Sequence, residues 1–591
     1  MLAAGVLCTL SICAWLLRYS RYGVDFTDES FYLVWIANPF LYEWSVYLFG
    51  FFYHPLFSLL GGDVAALRQA NLLVSFGLSS MLVWVLLRKH GPGMPASVRA
   101  VLAGSVACAG FLIADTWLPT PSYNSLAQQG LLVAAAGLVL TEREPSRQSL
   151  LGWLLVAAGG WLAFSGKPSS AAALAVVAPL YVAAAGKMNL RLLALAGAVA
   201  AGLLLATAFA IDGSVQRFAA RLSTGVEYLG YMQGGYSAGD VLRWDGFSLP
   251  AAERVALVVL ALGASFGALC LQGGARAWAV GAVVCGLLAG GTLVLSLDVP
   301  VRGAALGPYK DLLLLAVPLA AVVAVVLAPA HLARPRRAEL ALALLLAILP
   351  HVYAFGTNGN YWQAAGAAGV FWVAAGLVLL LPALAPGGGL ALLPLALATQ
   401  LVTAAVMFDA MQDPYRQPEP LRHNRMAVQF GSPSSNLLLS DDYAAYLESV
   451  RKAAGLAGFQ PGTPVIDLSG QSPGILYALG ARNIGQAWMI GGYPGSGPLA
   501  AASLRHVPCE EIGRAWLLAE PGGPRRLSGA VLQASGLSVE RDYSPAGSWH
   551  TARGAGGYAD PRLQVLMKPL RADAEAACRQ ARQAPAPAGG R

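Results

Sequence analysis

Long apolar runs recur along the chain from its first residues to about residue 408, and no other feature restricts its fold as strongly. An α-helix needs about 20 apolar residues to cross the hydrocarbon core of a bilayer. Of the 591 residues, 56% are hydrophobic and only 12% are charged. Because lipid cannot satisfy exposed backbone groups, such segments must fold as helices. The sequence therefore predicts an α-helical polytopic membrane protein whose first partner is the lipid bilayer.

Thirteen segments have the length and composition of membrane spans. They lie at about 1–17, 68–87, 98–114, 125–140, 150–164, 170–186, 190–210, 251–271, 277–297, 312–328, 338–355, 363–381 and 388–408. The first segment has neither a charged start nor a clear cleavage site, so we expect a retained helix and not a signal peptide. The stretch 40–60 is aromatic but interrupted by His54 and Pro55, which favours interfacial helices along the membrane surface.

Basic residues mark every second loop between these spans. They are Arg88, Lys89, Arg99, Arg143, Arg147, Lys187, Arg191, Arg276, Arg334, Arg336 and Arg337. The positive-inside rule assigns such loops to the cytoplasm. The complementary loops 18–67, 115–124, 165–169, 211–250, 298–311 and 356–362 then face outward, and so does everything after residue 408. Heavy use of Ala, Gly, Leu and Arg suggests a GC-rich bacterial genome, so we expect an inner (cytoplasmic) membrane with a periplasmic C-terminal domain.

The last third of the chain changes from membrane-like to globular. The predicted boundaries are a transmembrane domain over 1–408, a linker over 409–436, a small α/β domain over 437–583 and a disordered tail over 584–591. Within the domain, a helix is predicted over 441–454 and strands over 464–468 and 515–519, which is an alternation typical of α/β folds. Cys509 and Cys578 either form a disulfide in an oxidising compartment or remain free thiols.

Three carboxylates, Asp25, Asp28 and Glu29, stand together directly after the first predicted helix. Residues at i, i+3 and i+4 share one face of a helix. Such a cluster is either a solvated loop with a helix N-cap or a general base at the mouth of a membrane cavity. Like charges that close repel one another, so grouping them brings no structural gain.

The other unusual polar residues also lie in outward loops. They are Asp115, Tyr123, Asn124, Lys167, Lys310 and Asn358, with Arg302 as a further cation. A carboxylate can act as a general base, a cation can bind a phosphate and an aromatic ring can pack on a sugar. All three kinds of residue are predicted on one side of the membrane. The chain has no basic run interleaved with aromatic residues, so no nucleic-acid partner is predicted.

Five motifs in the first 190 residues, in this order, resemble the GT-C glycosyltransferases that use polyprenyl-phosphate sugars. The nearest branch is the lipid A aminoarabinose transferases and protein O-mannosyltransferases. The motifs are the Asp28-Glu29 pair, Tyr53-His54-Pro55, Leu60-Gly61-Gly62-Asp63 with Arg68, Pro121-Ser122-Tyr123-Asn124, and Phe164-Ser165-Gly166-Lys167-Pro168. The resemblance implies a GT-C fold of about 13 transmembrane helices, interfacial helices in the first outward loop and an extracytoplasmic C-terminal domain.

The resemblance also implies an activity, which is inverting transfer of a sugar from a polyprenyl-phosphate donor to an acceptor hydroxyl of a glycolipid, polysaccharide or protein. It implies Asp28 as the base, with Glu29 as its orienter or second choice. It implies substrate contacts from Asp25, Tyr53, His54, Arg68, Asp115, Tyr123, Asn124, Lys167, Lys310 and Asn358.

Two positions depart from the family pattern. His54 stands where a lysine is usual, so phosphate binding there would depend on pH near neutrality. Asn124 stands where an acid is expected, and either Asn124 or Asp115 takes that place.

Two other functions fit parts of the sequence. A transporter or flippase of a lipid-linked substrate would use the acids to bind cations or protons, although no internal repeat supports it. A structural subunit of an envelope-assembly complex would use the C-terminal domain to bind partners. No cofactor is implied, and a divalent metal ion, for which Asp25, Asp28, Glu29 and Asp115 offer ligands, is not expected.

Overall fold

The structure, a computed structural model, describes residues 1–591 except 43, 92, 233–237, 300–304, 329–333, 385–387 and 584–591. The predicted disordered tail and Arg302 lie outside these residues.

The part of the chain up to residue 412 is helical. Its helices are α1 (Leu2–Tyr19), α2 (Asp28–Ala37), α3 (Phe49–Leu59), α4 (Val64–His90), α5 (Ala96–Ala107), α6 (Tyr123–Leu140), α7 (Arg147–Gly166), α8 (Pro168–Ala184), α9 (Leu190–Asp212), α10 (Val215–Met232), α11 (Ala238–Val241), α12 (Ala251–Cys270), α13 (Ala275–Ser296), α14 (Ala316–Leu327), α15 (Arg337–Ala354), α16 (Tyr361–Gly366), α17 (Val370–Leu380) and α18 (Leu393–Gln412). Short 3-10 turns occupy Pro39–Leu41, Cys108–Ala114, Lys310–Leu315, Leu381–Ala383 and Gly388–Leu392.

All thirteen predicted spans coincide with helices. Within the described residues, ten segments are long and apolar enough to cross a membrane, and α8 and α17 are shorter apolar helices. The remaining predicted span corresponds to α6, whose side chains are buried along almost its whole length. The predicted fold class is confirmed, whereas the number of spans stays a prediction. The stretch 40–60 holds only the short helix α3 and a 3-10 turn.

Helices α6 and α7 touch backbone to backbone through small residues. A Cβ built on Gly159 would lie 2.4 Å from the backbone nitrogen of Ala134, and one built on Gly130 would lie 2.5 Å from that of Ala163. At the end of the same contact, a Cβ on Gly166 would lie 2.8 Å from the carbonyl oxygen of Tyr123. Small residues allow such close approach in lipid. The contact therefore places the end of α7, and with it Lys167, against the start of α6.

The C-terminal domain alternates strands and helices. Its elements are β1 (Met426–Gln429), β2 (Asn436–Leu439), α19 (Asp441–Leu456), β3 (Pro464–Asp467), α20 (Pro473–Ala478), β4 (Arg482–Asn483), α21 (Ser496–Arg505), α22 (Cys509–Arg514), β5 (Trp516–Ala519), α23 (Val539–Asp542), β6 (Tyr543–His550), β7 (Leu563–Pro569) and α24 (Ala574–Gln583), with 3-10 turns at Leu421–His423, Gly529–Ser535 and Ala555–Gly557. The predicted helix and both predicted strands are confirmed by α19, β3 and β5.

One five-stranded sheet organises this domain, in the order β4-β3-β5-β7-β6. Strand β3 pairs in parallel with β4 and β5, while β7 runs antiparallel to β5 and β6. Separately, β1 and β2 form an antiparallel hairpin. Because β1 lies inside the predicted linker 409–436, the structure places a folded hairpin at this boundary.

The C-terminal domain packs directly on the loop that follows α1. The backbone N–H of Gly23 donates to Leu438 O at 2.8 Å, so β2 pairs with this loop. The backbone N–H of Gly474 donates to Phe26 O at 3.0 Å, and a Cβ on Gly474 would lie 2.8 Å from Phe26 Cα. The Phe26 ring packs against Tyr443, with ring centroids 4.8 Å apart. The two parts of the chain therefore share one core around Phe26.

Cys509 and Cys578 form a disulfide that joins the start of α22 to α24, and their Cα atoms are 5.6 Å apart. Of the two alternatives left open by the sequence, the structure selects the bridge. The other five cysteines are free and buried or half-buried.

Replacing both bridged cysteines by serine should lower the stability of the C-terminal domain. The bridge closes a loop with a sequence separation of 69 residues. In the chain-entropy account a loop of that length contributes roughly 4 kcal/mol. Thermal unfolding of the full chain in detergent measures the effect. In the wild-type protein, alkylation of the unfolded chain before reduction should leave both cysteines unlabelled, and labelling them at that stage would contradict the bridge.

Candidate active site

A buried ion pair fixes the acidic loop between α1 and α2. Arg68, on α4, donates through Nε and Nη2 to the two carboxylate oxygens of Glu29 at 2.9 and 2.8 Å. The two side chains are 0% and 1% exposed. Arg68 also donates to the carbonyl oxygens of Ser20 and Gly23 at 2.8 and 3.0 Å, and the Thr120 hydroxyl donates to Glu29 at 2.6 Å. The polar groups of Glu29 and Arg68 are therefore hydrogen-bonded within the protein. The two residues fix the conformation of the loop.

Asp25 is also taken up by the loop. Its carboxylate is fully buried and accepts from the Thr27 hydroxyl at 2.8 Å and from the Glu29 backbone N–H at 3.2 Å. Burial, followed by the nearby carboxylate of Asp28, raises the pKa of Asp25 to about 7. Desolvation disfavours the charged form of an acid, so the direction is the one expected. Asp25 thus supports the loop from within, with no surface open to a substrate.

Asp28 is the member of the acidic cluster that reaches a cavity. It begins α2, its side chain is 28% exposed, and it lines a cavity of about 370 Å³. Its carboxylate accepts from Arg416 Nη1 at 2.8 Å and from the Tyr415 hydroxyl at 3.2 Å. Both partners follow α18 in the chain. Asp28 is therefore held in one orientation yet accessible, as a general base must be.

A second cavity, of about 270 Å³, contains Lys167 and several other predicted residues. Its walls include Asp115, Tyr123, Asn124 and Asn358. Lys167 lies between α7 and α8, is 6% exposed and donates through Nζ to Tyr353 O at 3.0 Å. An ammonium group has three donors, so this bond leaves two for a ligand. Asp115 and Asn124, the two alternatives for one family position, both line this cavity, and Asp115 also contacts the carboxyl of Asp311.

The two cavities adjoin. Tyr32, Tyr47, Tyr123 and Asn358 line both of them. The rings of Tyr47 and Tyr123 stack at a centroid distance of 4.6 Å between the two openings. The Asp28 side and the Lys167 side are therefore neighbours that share part of their walls.

A third cavity, of about 290 Å³, lies beside the other two and holds Lys310. It shares Asp115 with the cavity of Lys167, and it shares Arg416 with the cavity of Asp28. Lys310 Nζ is 2.8 Å from a carboxylate oxygen of Asp409. Its charge is therefore already paired, whereas no described carboxylate forms an ion pair with Lys167.

Four predicted substrate-binding residues lie elsewhere: Asp25, Tyr53, His54 and Arg68 are absent from the walls of all three cavities. The buried Tyr53 hydroxyl donates to Gln129 at 2.9 Å. His54 Nδ1 is 2.7 Å from the carbonyl oxygen of Ile36 and so ties α3 to the end of α2. These contacts differ from the substrate-binding roles predicted for His54 and Arg68, because both residues hold the segment between α1 and α4 together.

Sequence reasoning missed Tyr415 and Arg416. They stand in the predicted linker, and the partner of Arg416 is 388 positions away in the chain. The usable signal was the placement of a tyrosine and an arginine directly after the last span, on the predicted outward side. No local spacing connects them with Asp28.

The sequence leads us to expect no metal ion at this site. Across the part of the chain that the structure describes, no group of three His, Cys, Asp or Glu side chains is placed to hold one. The expectation that no metal takes part stays a prediction.

Comparisons with known proteins give a likeness in overall architecture. No protein-family model matches the chain, and no curated protein matches it. Among solved structures, the chain is similar to crystal structures of ArnT from Cupriavidus metallidurans, one in the apo state and one bound to undecaprenyl phosphate. The identities are 13% and 12%, the alignments cover 95% of this chain and 97% of those chains, and the TM-score is 0.40 in both cases. ArnT is an aminoarabinose transferase, and the sequence motifs of this chain resemble that branch of the GT-C glycosyltransferases. At this TM-score the likeness assigns no role to any residue, and the roles proposed below rest on the contacts of this chain.

Arg68→Met should destabilise the protein strongly, because it leaves the Glu29 carboxylate buried without its partner. Breaking a buried pair in this way costs roughly 3–5 kcal/mol. The double variant with Glu29→Gln and Arg68→Met removes both charges and should regain most of that loss. Thermal unfolding of the three proteins in one detergent makes the comparison. Equal destabilisation in the single and double variants would contradict a role for the charge pair.

Proposed function

We propose that this chain is an integral-membrane inverting glycosyltransferase. It moves a sugar from a polyprenyl-phosphate donor to an acceptor hydroxyl at the periplasmic face of a bacterial inner membrane. The observation that carries the proposal is the meeting of two adjoining cavities, one lined by the accessible carboxylate of Asp28 and the other by the ammonium group of Lys167. A base and a cation on either side of one hollow suit a reaction in which an alcohol attacks and a phosphate leaves.

Asp28 is the base in this reaction. An alcohol is a poor nucleophile, so its proton must be removed as the new bond forms. The acceptor oxygen attacks the anomeric carbon, its proton passes to the Asp28 carboxylate, and the bond from the anomeric carbon to the phosphate oxygen breaks. A single displacement from the opposite face inverts the configuration at that carbon. Arg416 and Tyr415 hold the carboxylate in place, and Asn358 lies where the two substrates meet.

Lys167 stabilises the departing phosphate. Charge that develops on a leaving group is best met by a cation placed in advance in a site with little water. Lys167 is buried, is anchored by Tyr353 O and has two further donors, while the amide of Asn124 adds a neutral group in the same wall. Lys310 is a weaker candidate because Asp409 already pairs it.

The outward location has separate support. Disulfides persist in oxidising compartments such as the periplasm, and the C-terminal domain contains the Cys509–Cys578 bridge. That domain packs on the Asp28 loop, so domain and active site lie on the same side of the membrane. The basic residues of the alternate loops support a cytoplasmic location for the opposite side.

Asp28→Asn should reduce the rate of transfer by about 10²–10⁴-fold, the usual contribution of a general base. Release of polyprenyl phosphate by the purified protein measures this rate, with a panel of polyprenyl-phosphate sugars as donors and a panel of glycolipid, polysaccharide and protein acceptors present. Asp442→Asn, an exposed carboxylate on α19, is the matched control and should leave the rate unchanged. A flippase releases no polyprenyl phosphate. If the wild-type protein released none with any donor and acceptor tested, the proposal would be refuted.

Lys167→Met should weaken binding of polyprenyl phosphate by about 10–100-fold, since a hydrogen bond to a charged group contributes roughly 1.5–3 kcal/mol. Lys187→Met is the matched control. Lys187 lies just beyond the other end of α8, is half-buried and also donates to a backbone carbonyl, Leu138 O, at 3.1 Å. Titration with a fluorescent polyprenyl phosphate compares the two variants. Equal weakening by both would assign Lys167 a structural role only.

A further inference from the structure

The C-terminal domain forms one wall of the cavity that Asp28 lines. Its contribution consists of Gln486, Trp488, Ile490, Tyr493, Leu499 and Arg525. The opposite wall belongs to the membrane domain, with Trp44 and Asp28 among its residues. A molecule that fills this cavity therefore touches both parts of the chain.

Arg525 is held in that wall by a tightly packed loop. A Cβ on Gly470 would lie 2.0 Å from the carbonyl oxygen of Arg525, and one on Gly491 would lie 1.7 Å from it. Only glycine at these two positions permits the approach. A Cβ on Gly492 would lie 3.2 Å from Arg525 Cγ, so the side chain runs along this third glycine. Arg525 Nε donates to the hydroxyl of Tyr558 at 3.1 Å, which fixes the guanidinium further.

Within the part of the chain that the structure describes, the charge of Arg525 has no acidic partner. Three charged residues line this cavity: Asp28, Arg416 and Arg525. Asp28 and Arg416 pair with each other at 2.8 Å. Among the described residues no carboxylate lies within ion-pair distance of Arg525, whose side chain bonds to the neutral Tyr558. A half-buried, oriented guanidinium without an acid suits a phosphate or carboxylate, because its fork of donors matches the oxygens of either group.

Aromatic side chains stand beside Arg525 in the same cavity. The indole N–H of Trp488 donates to Gly470 O at 3.0 Å, so this ring is tied to the glycine that also packs on Arg525. Trp44, across the cavity, packs on His506 with ring centroids 4.4 Å apart. Fixed rings with a few polar groups between them are typical of pockets that bind small molecules, and ring faces suit the apolar side of a saccharide.

We infer that Arg525 binds an anionic group of the acceptor and that Trp488 packs on its sugar ring, so that the acceptor is a saccharide carrying a phosphate or carboxylate. This inference rests on the proposed function and names the acceptor class of the same site. It also gives the C-terminal domain a task, which is to hold the acceptor with its hydroxyl towards Asp28. Arg525 and Trp488 are acceptor-binding residues that take no part in proton transfer.

Binding of simple sugars to the full chain in detergent tests the inference. Glucose, glucose 6-phosphate and glucuronic acid serve as the probes, with saturation-transfer NMR titrations as the readout. The wild-type protein should bind at least one of the two anionic sugars about 10-fold or more tightly than glucose. A preference for glucose 6-phosphate would identify a phosphate, and a preference for glucuronic acid would identify a carboxylate. Equal binding of all three sugars would overturn the inference.

Variants of the two adjacent arginines sharpen this test. Arg525→Ala should abolish the preference for the anionic sugar, and Arg525→Lys should keep part of it, since lysine preserves the charge without the fork. Arg526→Ala is the matched control, because Arg526 is exposed and lies outside the cavity wall. Trp488→Leu should weaken the binding of glucose and of the anionic sugar by the same factor. Loss of the preference in Arg526→Ala as well as in Arg525→Ala would overturn the assignment.

Failure of this inference can be told apart from failure of the proposed function. Release of polyprenyl phosphate tests the transferase, and saccharide binding tests Arg525. A protein that prefers anionic sugars through Arg525 but releases no polyprenyl phosphate would refute the transferase and leave the anion site standing. Release of polyprenyl phosphate by a protein without that preference would refute the anion site alone.

Discussion

The paired charges of Glu29 and Arg68 are the contact on which the rest of the site depends. Their bidentate bond, with the further bonds of Arg68 to Ser20 O and Gly23 O, joins the end of α1, the start of α2 and the start of α4. Asp28 precedes Glu29 directly, so fixing Glu29 inside the protein turns Asp28 towards the cavity. A buried pair is costly to form, and its value here lies in the unique position that it gives the neighbouring acid.

The same loop is held from its other side by the C-terminal domain. Phe26 packs among the aromatic residues of that domain, including Tyr443 and Tyr446, with centroid distances of 4.8 and 5.6 Å. Arg416, from the segment that leads into the domain, bonds to Asp28 itself. The proposed base is thus positioned by both parts of the chain, and both parts contribute walls to the cavity in front of it.

Much of the architecture could be predicted from the sequence, because hydropathy and strand patterns are local. The spans and the strands β3 and β5 follow from residues that lie within one window of the chain. The different environments of Asp28 and Glu29 could not be predicted from such local patterns. The two acids are adjacent, and only the distant partners Arg68 and Arg416 make one structural and the other accessible. His54 fits a family motif by order, yet its ring nitrogen is bound to Ile36 O.

The backbone contact between α6 and α7 has a consequence for how such a site diversifies. Gly130, Gly159 and Gly166 leave no space for a larger side chain, so the relation of Lys167 to Tyr123 is rigid. The other boundary of that cavity includes Asn358 and Gly359, which are exposed, and a Cβ added at Gly359 would meet only Thr357 Oγ1, at 3.8 Å. Related chains can therefore exchange residues at these two positions, and with them the shape of that side of the cavity, while the proposed phosphate site at Lys167 keeps its place.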